Sequence, residues 1–521
     1  MPGGVRVVRP NFLCIITDQQ RFDHWGGAGN AVIRTPNIDR LAAEGVAFER
    51  AYVANPLCMP ARATLFTGRT PRGHGVRTNG IPLDRSVPTM PEALRQAGYA
   101  THAVGKVHLT PFEAPNGYWV EEMDPAEWPE CRGLWEAGRV TSVPRPYFGL
   151  ERVEFAGGHG SWAWGDYVTW LNEVRPDGAR LLSREAGRET ASGAEQSWVS
   201  ALPEELHCST WVGDRATSFL ENQGQQEKPF FLWCSFPDPH HPYCPPEPWA
   251  SMYERAKMPK PTRREGELAD LPPHYARAFE AGMPLSGRGA ATKIGEEQLR
   301  ESMALTYGMV SLVDKNVGRV LEALARTGQR DNTVIVFMSD HGDMMGDHWM
   351  LNKGPFHFDG LLRIPSIWAW PERFAAGVKT EALASQLDFA PTVLDLAGVR
   401  APEGIVPRRA EAPEQMAAWP GHSLRPLLEG ESVSIRDAVL VENDEDYLGL
   451  RLRTLVTERY QLTIYGGQDY GELFDLEQDP GQLRNLWDSP EHRGVKADLH
   501  RRLLHEVVES DSALPRRLGH A

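Results

Sequence analysis

A cysteine, a proline and an arginine stand close together in the stretch NPLCMPARATLFTGR, residues 55–69. Pro60 fits the first turn of a helix, because the N–H that proline lacks has no intrahelical partner there. Cys58 is then expected near the N-cap, with residues 61–66 helical behind it. A helix N-terminus presents free N–H groups and the positive end of the dipole, and Arg62, one turn on, adds a full charge. The spacing therefore predicts a place where an anion is held beside a thiol.

Two apolar runs end in residues that could bind metal: residues 12–17 are followed by Asp18 and Gln19, and residues 333–339 by Asp340 and His341. Open α/β sheets bind ligands just beyond the carboxyl ends of their strands. Carboxylate and amide oxygens suit a hard divalent cation such as Ca²⁺ or Mg²⁺, and an imidazole nitrogen admits Mn²⁺. A single acidic residue after a strand is more often a turn former, but two such pairs together favour a metal site.

Short apolar runs alternate with helical patterns over the first 430 residues, which is typical of a mostly parallel sheet flanked by helices. The runs predict buried strands at 12–17, 101–104, 230–235 and 333–339, and the periodicity predicts helices at 36–44, 90–96, 297–327 and 390–396. The later pattern predicts short strands at 438–442, 452–457 and 460–465 and a helix near 495–509. We therefore expect an α/β domain at 1–429 and a smaller α+β domain with an antiparallel sheet at 430–521.

Two irregular stretches interrupt the larger domain, at about residues 115–205 and 255–296. The first is rich in Gly, Pro and Trp, the second is charged, and we interpret both as insertions. The tryptophans could line a pocket for an aryl or carbohydrate group, because aromatic faces suit both, or they could form the core of an oligomer arm or a lid. The sequence does not separate these alternatives.

The composition is that of a soluble globular protein, with 41% hydrophobic and 24% charged residues. The formal charge of −15, from 55 basic and 70 acidic residues, argues against a nucleic-acid partner. Six cysteines without CxxC spacing indicate neither a disulfide framework nor a zinc site. The first apolar run is broken by Asp18, so we expect neither a signal peptide nor a membrane span, and a cytoplasmic location.

The residues around Cys58 resemble the CxPxR signature of the sulfatase family, in the alkaline phosphatase superfamily. Other segments resemble that family's motifs in the same order: the two strand-end pairs, Lys106-Val107-His108 (KxH), Pro239-His240-His241-Pro242 (PHxP), Gly346-Asp347-His348 leading to Lys353, and the tail at 472–480 with Asn485 and Leu486. A chance CxPxR is common, whereas this ordered set over most of the chain is not. The resemblance implies an alkaline-phosphatase-like fold and a metal-dependent, arylsulfatase-like hydrolase of small organic sulfate monoesters.

The resemblance also implies the nucleophile and the metal ligands. In that family the cysteine, here Cys58, is oxidised to formylglycine by a formylglycine-generating enzyme, and the hydrate of the aldehyde attacks sulfur. One divalent cation is implied, with Ca²⁺ favoured over Mn²⁺ and Mg²⁺. Its ligands would be Asp18, Gln19, Asp340, His341 and the side chain of residue 58.

Further residues receive catalytic roles. Arg62 lies one turn beyond residue 58, where its guanidinium could hydrogen-bond the hydrated side chain. Lys106 and His108 are two apart on a segment that we expect to be extended, so both would point the same way. Lys106 could then neutralise oxyanion charge, and His108 could take a proton from the hydrate.

Three more site residues rest on the resemblance. His240, in preference to the adjacent His241, and Lys353 would contact the ester and sulfate oxygens and assist departure of the alcohol. Asn79 stands where relatives place a polar contact to sulfate, although an Asn-Gly pair is more often a turn.

The strand-end pairs depart from the commoner sulfatase pattern, which has Asp-Asp after the first strand and Asp-Asn after the later one. Asp18-Gln19 and Asp340-His341 resemble the branch that contains phosphonate and phosphate ester hydrolases and choline sulfatase. Those phosphonate hydrolases replace the KxH pair with Tyr and Thr, whereas Lys106 and His108 are present here. Sulfate esters are therefore the favoured substrates, with phosphonate monoesters and phosphodiesters as the alternative.

Other mechanisms remain open at this point. Cys58 could act directly as a thiolate of lowered pKa, although phosphatase loops of that kind hold their arginine at a longer spacing. If Cys58 stays unmodified, the chain could be a non-catalytic protein that binds metal and sulfate esters. The joint presence of two lysines and two histidines beyond the metal ligands favours hydrolysis. The resemblance and the long insertions suggest a homodimer or homotetramer.

Overall fold

The computed structural model describes residues 9–115, 117, 119–223, 228–281, 294–400, 420–446 and 448–510. In chain order the strands are β1 Asn11–Thr17, β2 Val46–Tyr52, β3 Ala100–Gly105, β4 Arg152–Gly157, β5 Trp164–Gly165, β6 Arg188–Glu189, β7 Trp198–Val199, β8 Phe230–Ser235, β9 Thr333–Ser339, β10 Arg363–Ala369, β11 Val378–Ser385, β12 Ala438–Glu445, β13 Leu450–Thr457, β14 Tyr460–Tyr465 and β15 Gly471–Asp475.

The α-helices, in the same order, are α1 Pro36–Ala43, α2 Cys58–Thr67, α3 Pro71–His74, α4 Met90–Gln96, α5 Arg132–Glu136, α6 Asp166–Val174, α7 Gly178–Leu181, α8 Cys208–Gln223, α9 Pro273–Ala281, α10 Glu296–Arg326, α11 Asp359–Leu362, α12 Phe389–Ala397, α13 Arg425–Leu428 and α14 Arg493–Glu509. Among these helices, none combines the length and apolar character needed to cross a bilayer.

A nine-stranded mixed sheet forms the centre, in the order β11–β2–β10–β9–β1–β8–β3–β4–β5. β1 is parallel to both of its neighbours, β8 and β9. β10 runs antiparallel to β9 and β2. Thr17 pairs with Ser339, so β1 and β9 end at the same level and the residues after them emerge side by side. This sheet confirms the predicted α/β class and sets the strand-end pairs next to each other.

Helices cover both faces of the sheet, which is why the central strands are apolar throughout. Phe12, Cys14 and Ile16 of β1 pack in one core with residues of α2, α4 and α12. Leu13 and Ile15 face the opposite way, into a core with residues of α1, α8 and α10. Because successive strand residues alternate between the two faces, each face of β1 contributes to a separate hydrophobic core.

The C-terminal part contains a four-stranded antiparallel sheet in the order β12–β13–β14–β15, as expected. Leu499 and Leu503 of α14 pack on its apolar face. The sheet also contacts the larger part directly, because the Glu442 N–H donates to the Ala54 carbonyl, 2.9 Å away, and Asn55 Nδ2 donates to the Glu442 carbonyl, 2.7 Å away. The boundary at 429/430 stays a prediction.

The strands β2, β10 and β11 were not predicted. Part of β2 carries charged residues, and β11 is the half-exposed edge of the sheet. In β10, Pro365 argues against a strand, and the structure accommodates it where the β10–β2 register shifts between Ile364 and Ser366. In each of these three strands, charged, exposed or proline residues interrupt the apolar pattern on which the strand prediction depends, and the sheet accommodates them.

The stretch at 115–205, interpreted as an insertion, supplies β4 and β5 to one edge of the central sheet. Trp164 of β5 is buried there, and its Nε1 donates to the Glu130 carbonyl. The second stretch, 255–296, includes α9, while 282–293 lie outside the described residues. At least part of the first stretch is thus integral to the sheet.

Candidate active site

The helix α2 begins at Cys58 and is buried along its whole length. Its N-cap is Leu57, whose N–H donates to Asn55 Oδ1 at 2.8 Å. Asn79 is exposed, and its Oδ1 accepts the N–H of Met59 at 3.0 Å. The thiol therefore lies at the helix N-terminus, as expected, and Asn79 holds the first turn of that helix.

Four of the predicted metal ligands converge beyond β1 and β9. The potential ligand atoms of Asp18, Cys58, Asp340 and His341 all lie within 4.8 Å of one another, and all four residues are buried. Gln19 has φ of 64°, and its N–H donates to Asp340 Oδ1 at 3.0 Å. The left-handed turn at Gln19 thus ties the two strand ends together.

The side-chain amide of Gln19 is the fifth candidate ligand. Its Nε2 donates to Asp343 Oδ2 at 2.6 Å and lies 3.2 Å from His241 Nδ1. Its Oε1 is buried and has no hydrogen-bond partner among the described residues. A buried amide oxygen that lacks such a partner, on the residue that follows Asp18, suits an ion that prefers oxygen ligands, so these residues fit the implied metal.

Arg62 takes a different place from the one expected. In the described part of the chain no hydrogen bond joins its guanidinium to Cys58. Its Nε donates to Asp340 Oδ2 at 2.8 Å, and one terminal nitrogen lies 3.4 Å from Asp18 Oδ2. The other donates to the Lys106 carbonyl and to Ser235 Oγ, at 2.9 and 3.0 Å. Arg62 therefore clamps the two candidate metal carboxylates instead of touching the thiol.

Lys106 and His108 lie on the other side of Asp18. The Lys106 ammonium is paired with Asp18 Oδ2 and is fully buried. The segment is not extended throughout, because His108 has φ of 61°. Glu130 causes the bend by accepting the N–H groups of His108, Leu109 and Thr110, at 2.6, 2.8 and 3.0 Å. The equal orientation inferred from their spacing therefore does not follow from an extended backbone.

Lys353 approaches the thiol most directly. Its Nζ lies 2.9 Å from Cys58 Sγ, 2.9 Å from His240 Nε2 and 3.1 Å from His341 Nε2. His240 Nδ1 donates to the backbone carbonyl of His241, which leaves Nε2 as the acceptor for Lys353. His241 points instead at Gln19, so the two adjacent histidines serve different neighbours.

This arrangement can be compared with known proteins. A family model described as Sulfatase matches residues 10–399. The chain belongs to the sulfatase family. A second model, "N-sulphoglucosamine sulphohydrolase, C-terminal", matches residues 346–509 of this sulfatase. Family membership agrees with the sequence resemblance and confirms the predicted enzyme class, a sulfuric ester hydrolase.

Individual relatives align over nearly the whole sulfatase. The arylsulfatase of Clostridium perfringens is 29% identical over 509 residues, covering 96% of this chain and 95% of that protein. The choline-sulfatase of Rhizobium meliloti is 28% identical, covering 92% of this chain and 83% of that protein. The structure of the phosphonate monoester hydrolase of Agrobacterium radiobacter superimposes with a TM-score of 0.79 at 29% identity, covering 98% of this chain and all of that one, 100%.

The electrostatics of the sulfatase site favour charged side chains in spite of burial. Burial and the Asp18 carboxylate raise the pKa of the Cys58 thiol, but Lys106, Lys353 and His341 outweigh them and hold it below the ordinary value. Burial likewise lowers the pKa of Arg62, and Asp340 and Asp18 more than compensate. Three cationic side chains meet two carboxylates here, so the site suits an anionic substrate even before a cation binds.

Sequence reasoning missed four residues of the site: His159, Glu130, Ser235 and Asp343. Asp343 follows His341 by two residues and could have been found from the HGD spacing. Ser235 is the last residue of β8, at the same edge of the sheet as Asp18, so its position carried a signal. His159 and Glu130 lie in the irregular stretch at 115–205. Tertiary contacts bring them to the site, and local sequence patterns do not predict such contacts.

Proposed function

We propose that this sulfatase cleaves organic sulfate monoesters to an alcohol and sulfate, with a formylglycine derived from Cys58 as the nucleophile. The observation that carries the proposal is the position of residue 58. Its side-chain sulfur stands in for the reactive group and lies 2.9 Å from Lys353 Nζ and 3.1 Å from His341 Nε2, beside two buried carboxylates. A thiol with a purely structural role does not require charged side chains around it.

One divalent cation, with Ca²⁺ as the preferred ion, would be held by Asp18, Gln19 Oε1, Asp340, His341 and the side chain of residue 58. Such a cation would polarise the bound oxygens and lower the pKa of a hydroxyl at residue 58. Oxygen donors predominate in this set, which supports Ca²⁺, while the imidazole of His341 keeps Mn²⁺ within reach. Arg62 holds both carboxylates in place, so the ligands are positioned before the ion arrives.

The remaining side chains supply binding and proton transfer. A formylglycine hydrate offers two hydroxyls on one carbon. Attack by the first on sulfur breaks the bond from sulfur to the ester oxygen and releases the alcohol, and deprotonation of the second breaks the C–O bond to the bound sulfate, which leaves as the aldehyde re-forms. Lys353 donates toward residue 58 and so stands ready to hold an ester oxygen there. His108 Nδ1 is buried without a partner within the described residues, and burial with the nearby Lys106 holds the pKa of His108 well below its usual range. A neutral imidazole with a vacant nitrogen is suited to accept a proton from the hydrate.

Hydrolysis of phosphonate monoesters is the second candidate. The likeness to the Agrobacterium phosphonate monoester hydrolase and the Asp18-Gln19 and Asp340-His341 pairs favour it. Lys106 and His108 argue for sulfate esters as the principal substrates. We therefore expect phosphonate and phosphate esters to be turned over more slowly than sulfate esters.

The first experiment is the mass of the tryptic peptide 51–62 from protein expressed aerobically with a formylglycine-generating enzyme. Replacement of the thiol by an aldehyde oxygen is the expected result, and a panel of sulfate, phosphate and phosphonate esters then ranks the activities. An intact thiol in protein that nevertheless hydrolyses sulfate esters would overturn the formylglycine mechanism in favour of thiolate attack. An intact thiol without turnover would leave a binding protein.

A further inference from the structure

The loop between β4 and β5 carries a histidine into the site. Its sequence is Gly157-Gly158-His159-Gly160, and Gly158 and Gly160 have φ of 79° and 47°. A Cβ on Gly158 would lie 1.9 Å from the Trp162 carbonyl oxygen, and one on Gly160 would lie 2.9 Å from the Pro242 carbonyl oxygen and 3.0 Å from Cys244 Sγ. The loop is therefore folded tightly on itself and against the segment after His241, which fixes the backbone on both sides of His159.

The imidazole of His159 reaches the reacting centre. Its Nε2 lies 2.6 Å from Lys106 Nζ and 3.7 Å from Asp18 Oδ2. Potential ligand atoms of Asp18, Cys58, His159 and His240 all lie within 4.8 Å of one another. The side chain is 16% exposed, so His159 lies between solvent and the fully buried Asp18 and Lys106.

His159 also stacks on His240. The ring centroids are 3.5 Å apart and the planes differ by 8°. His240 accepts from Lys353, and His159 is placed to accept from Lys106. Each of the two stacked imidazoles thus accepts a hydrogen bond from one of the two lysine ammonium groups of the site.

A neutral acceptor suits a lysine that must bind an anion. A lysine ammonium can only donate, so the 2.6 Å contact between Lys106 Nζ and His159 Nε2 requires the Nε2 lone pair to accept. Asp18 already pairs with this ammonium, and a second carboxylate would add a further negative charge where the ester oxygens bind. An imidazole orients the ammonium without adding negative charge.

We infer that His159 is a positioning residue for Lys106: it holds the Lys106 ammonium toward the ester oxygens and away from exclusive pairing with Asp18, as His240 does for Lys353. The inference rests on the proposed function, because it assigns a residue of the same site. Its consequence is that each lysine of the site lies against an imidazole outside the candidate metal set, and sequence motifs reveal only Lys353 with His240.

The test uses three variants of the whole protein, each coexpressed with a formylglycine-generating enzyme. We expect His159→Ala to lower kcat by about 10- to 100-fold, the range found when partners that orient a reactive group are removed, with a smaller change in KM. His159→Gln should recover most of the loss, because its Oε1 can accept from Lys106. Ser161→Ala, in the same loop, should match the wild type.

Three measurements make the result decisive. Peptide mass and metal content should be equal in all variants, since the role is not structural. The affinity for inorganic sulfate, measured by calorimetry on protein with an unmodified thiol, should fall in His159→Ala and recover in His159→Gln. Unchanged kcat and sulfate affinity in His159→Ala would overturn the inference, as would a His159→Gln variant as impaired as His159→Ala, or loss of metal from His159→Ala.

The sulfate measurement separates the two proposals. A wild type that turns over no sulfate ester, but whose sulfate affinity depends on His159 in the expected way, would refute the proposed function and support the role of His159. If wild type and His159→Ala instead hydrolysed sulfate esters at equal rates and bound sulfate with equal affinity, the proposed function would be supported and the role of His159 refuted.

Discussion

The active site and the contact between the C-terminal sheet and the segment after Lys353 both bury titratable side chains, but only the first keeps buried carboxylate and ammonium groups charged, as at Asp18 and Lys353. The second set, here called the boundary cluster, consists of His274, Tyr275, His357, Tyr465 and Glu472, all buried. Tyr465 donates to Glu472 Oε2 at 2.7 Å, His274 Nε2 donates to the Pro355 carbonyl, and His357 Nδ1 lies 2.6 Å from Thr454 Oγ1.

Burial decides the protonation of the boundary cluster. It raises the pKa of Glu472 to about 7, lowers that of His274 to about 4 and lowers that of His357 to about 3. Each group is thereby favoured in its neutral form, because the described part of the chain places no strong opposite charge beside it. The cluster is a hydrogen-bonded contact between the sheet and the rest of the protein.

Opposite charges decide the protonation of the active site. Burial raises the pKa of Asp18, but Lys106, Arg62 and Lys353 bring it well below its usual range. Burial lowers the pKa of Lys353, and Cys58 and Asp18 raise it above the usual value. This difference shows that burial of titratable groups does not by itself identify a functional site. What distinguishes the active site is that its buried groups stay charged, because residues of opposite charge from distant parts of the chain lie beside them.

The largest expected effect is that of Cys58→Ala. Folding should be retained, because the side chain is small and only the reacting group is lost, while kcat should fall by at least about 10³-fold, as for removal of other nucleophiles. Cys234→Ala is the matched control: that thiol is buried in β8, burial raises its pKa, and turnover should be kept. Rates with the ester panel and thermal unfolding of both variants test this. Substantial activity in Cys58→Ala would refute residue 58 as the nucleophile.

Asp340→Asn should have the next largest effect. It removes one charge from the candidate metal set and leaves Arg62 with Asp18 as its remaining ion-pair partner among the described residues. We expect divalent-cation affinity and kcat to fall together by about 10- to 100-fold, with activity partly restored by added metal. Metal titration with elemental analysis measures this, and the exposed Asp331→Asn serves as control. Full metal content and full activity in Asp340→Asn would contradict the metal assignment.

Features of the fold and the site that depend on residues close together in the sequence could be predicted, and features that depend on residues far apart in the sequence could not. Apolar runs gave β8, β9 and β14 with the bounds that the structure has, and the motif at residue 58 placed the thiol at a helix start. The contact of Arg62 with Asp340 was not predicted, because helical spacing relates Arg62 to residue 58, whereas Asp340 is 278 residues away in the chain. His159 was missed for the same reason, since contacts with Lys106 and His240 alone define its place.

In the boundary cluster, Glu472→Gln should alter stability and not catalysis. The carboxyl of Glu472 titrates near the ordinary 4.5 when unfolded and at about 7 when folded. The folded state therefore binds the extra proton between these values, so the group's contribution is fully present below pH 4.5 and is lost as the pH rises to about 7. The loss should be on the order of 3 kcal/mol, because each unit of difference in pKa corresponds to about 1.4 kcal/mol. Glu472→Gln should flatten this part of the curve of unfolding free energy against pH, measured with urea at pH 4.5 to 8. An unaltered slope would show that Glu472 does not titrate there.

The smallest expected effects compare one hydroxyl in each region. Tyr465→Phe removes the donor to Glu472, and Ser235→Ala removes an acceptor of Arg62. Each should lower the free energy of unfolding by about 1 kcal/mol, the usual net value of a hydrogen bond. Only Ser235→Ala should also reduce kcat, by several-fold, because the guanidinium that it supports positions both metal carboxylates. The hydrogen bond from Tyr465 favours the ionised form of Glu472, so Tyr465→Phe should raise the pKa of Glu472 in the folded state. The pH-dependent loss of stability should then extend to higher pH, while kcat stays unchanged. A reduced kcat in Tyr465→Phe, with full kcat in Ser235→Ala, would reverse the contrast between the charged site and the neutral cluster.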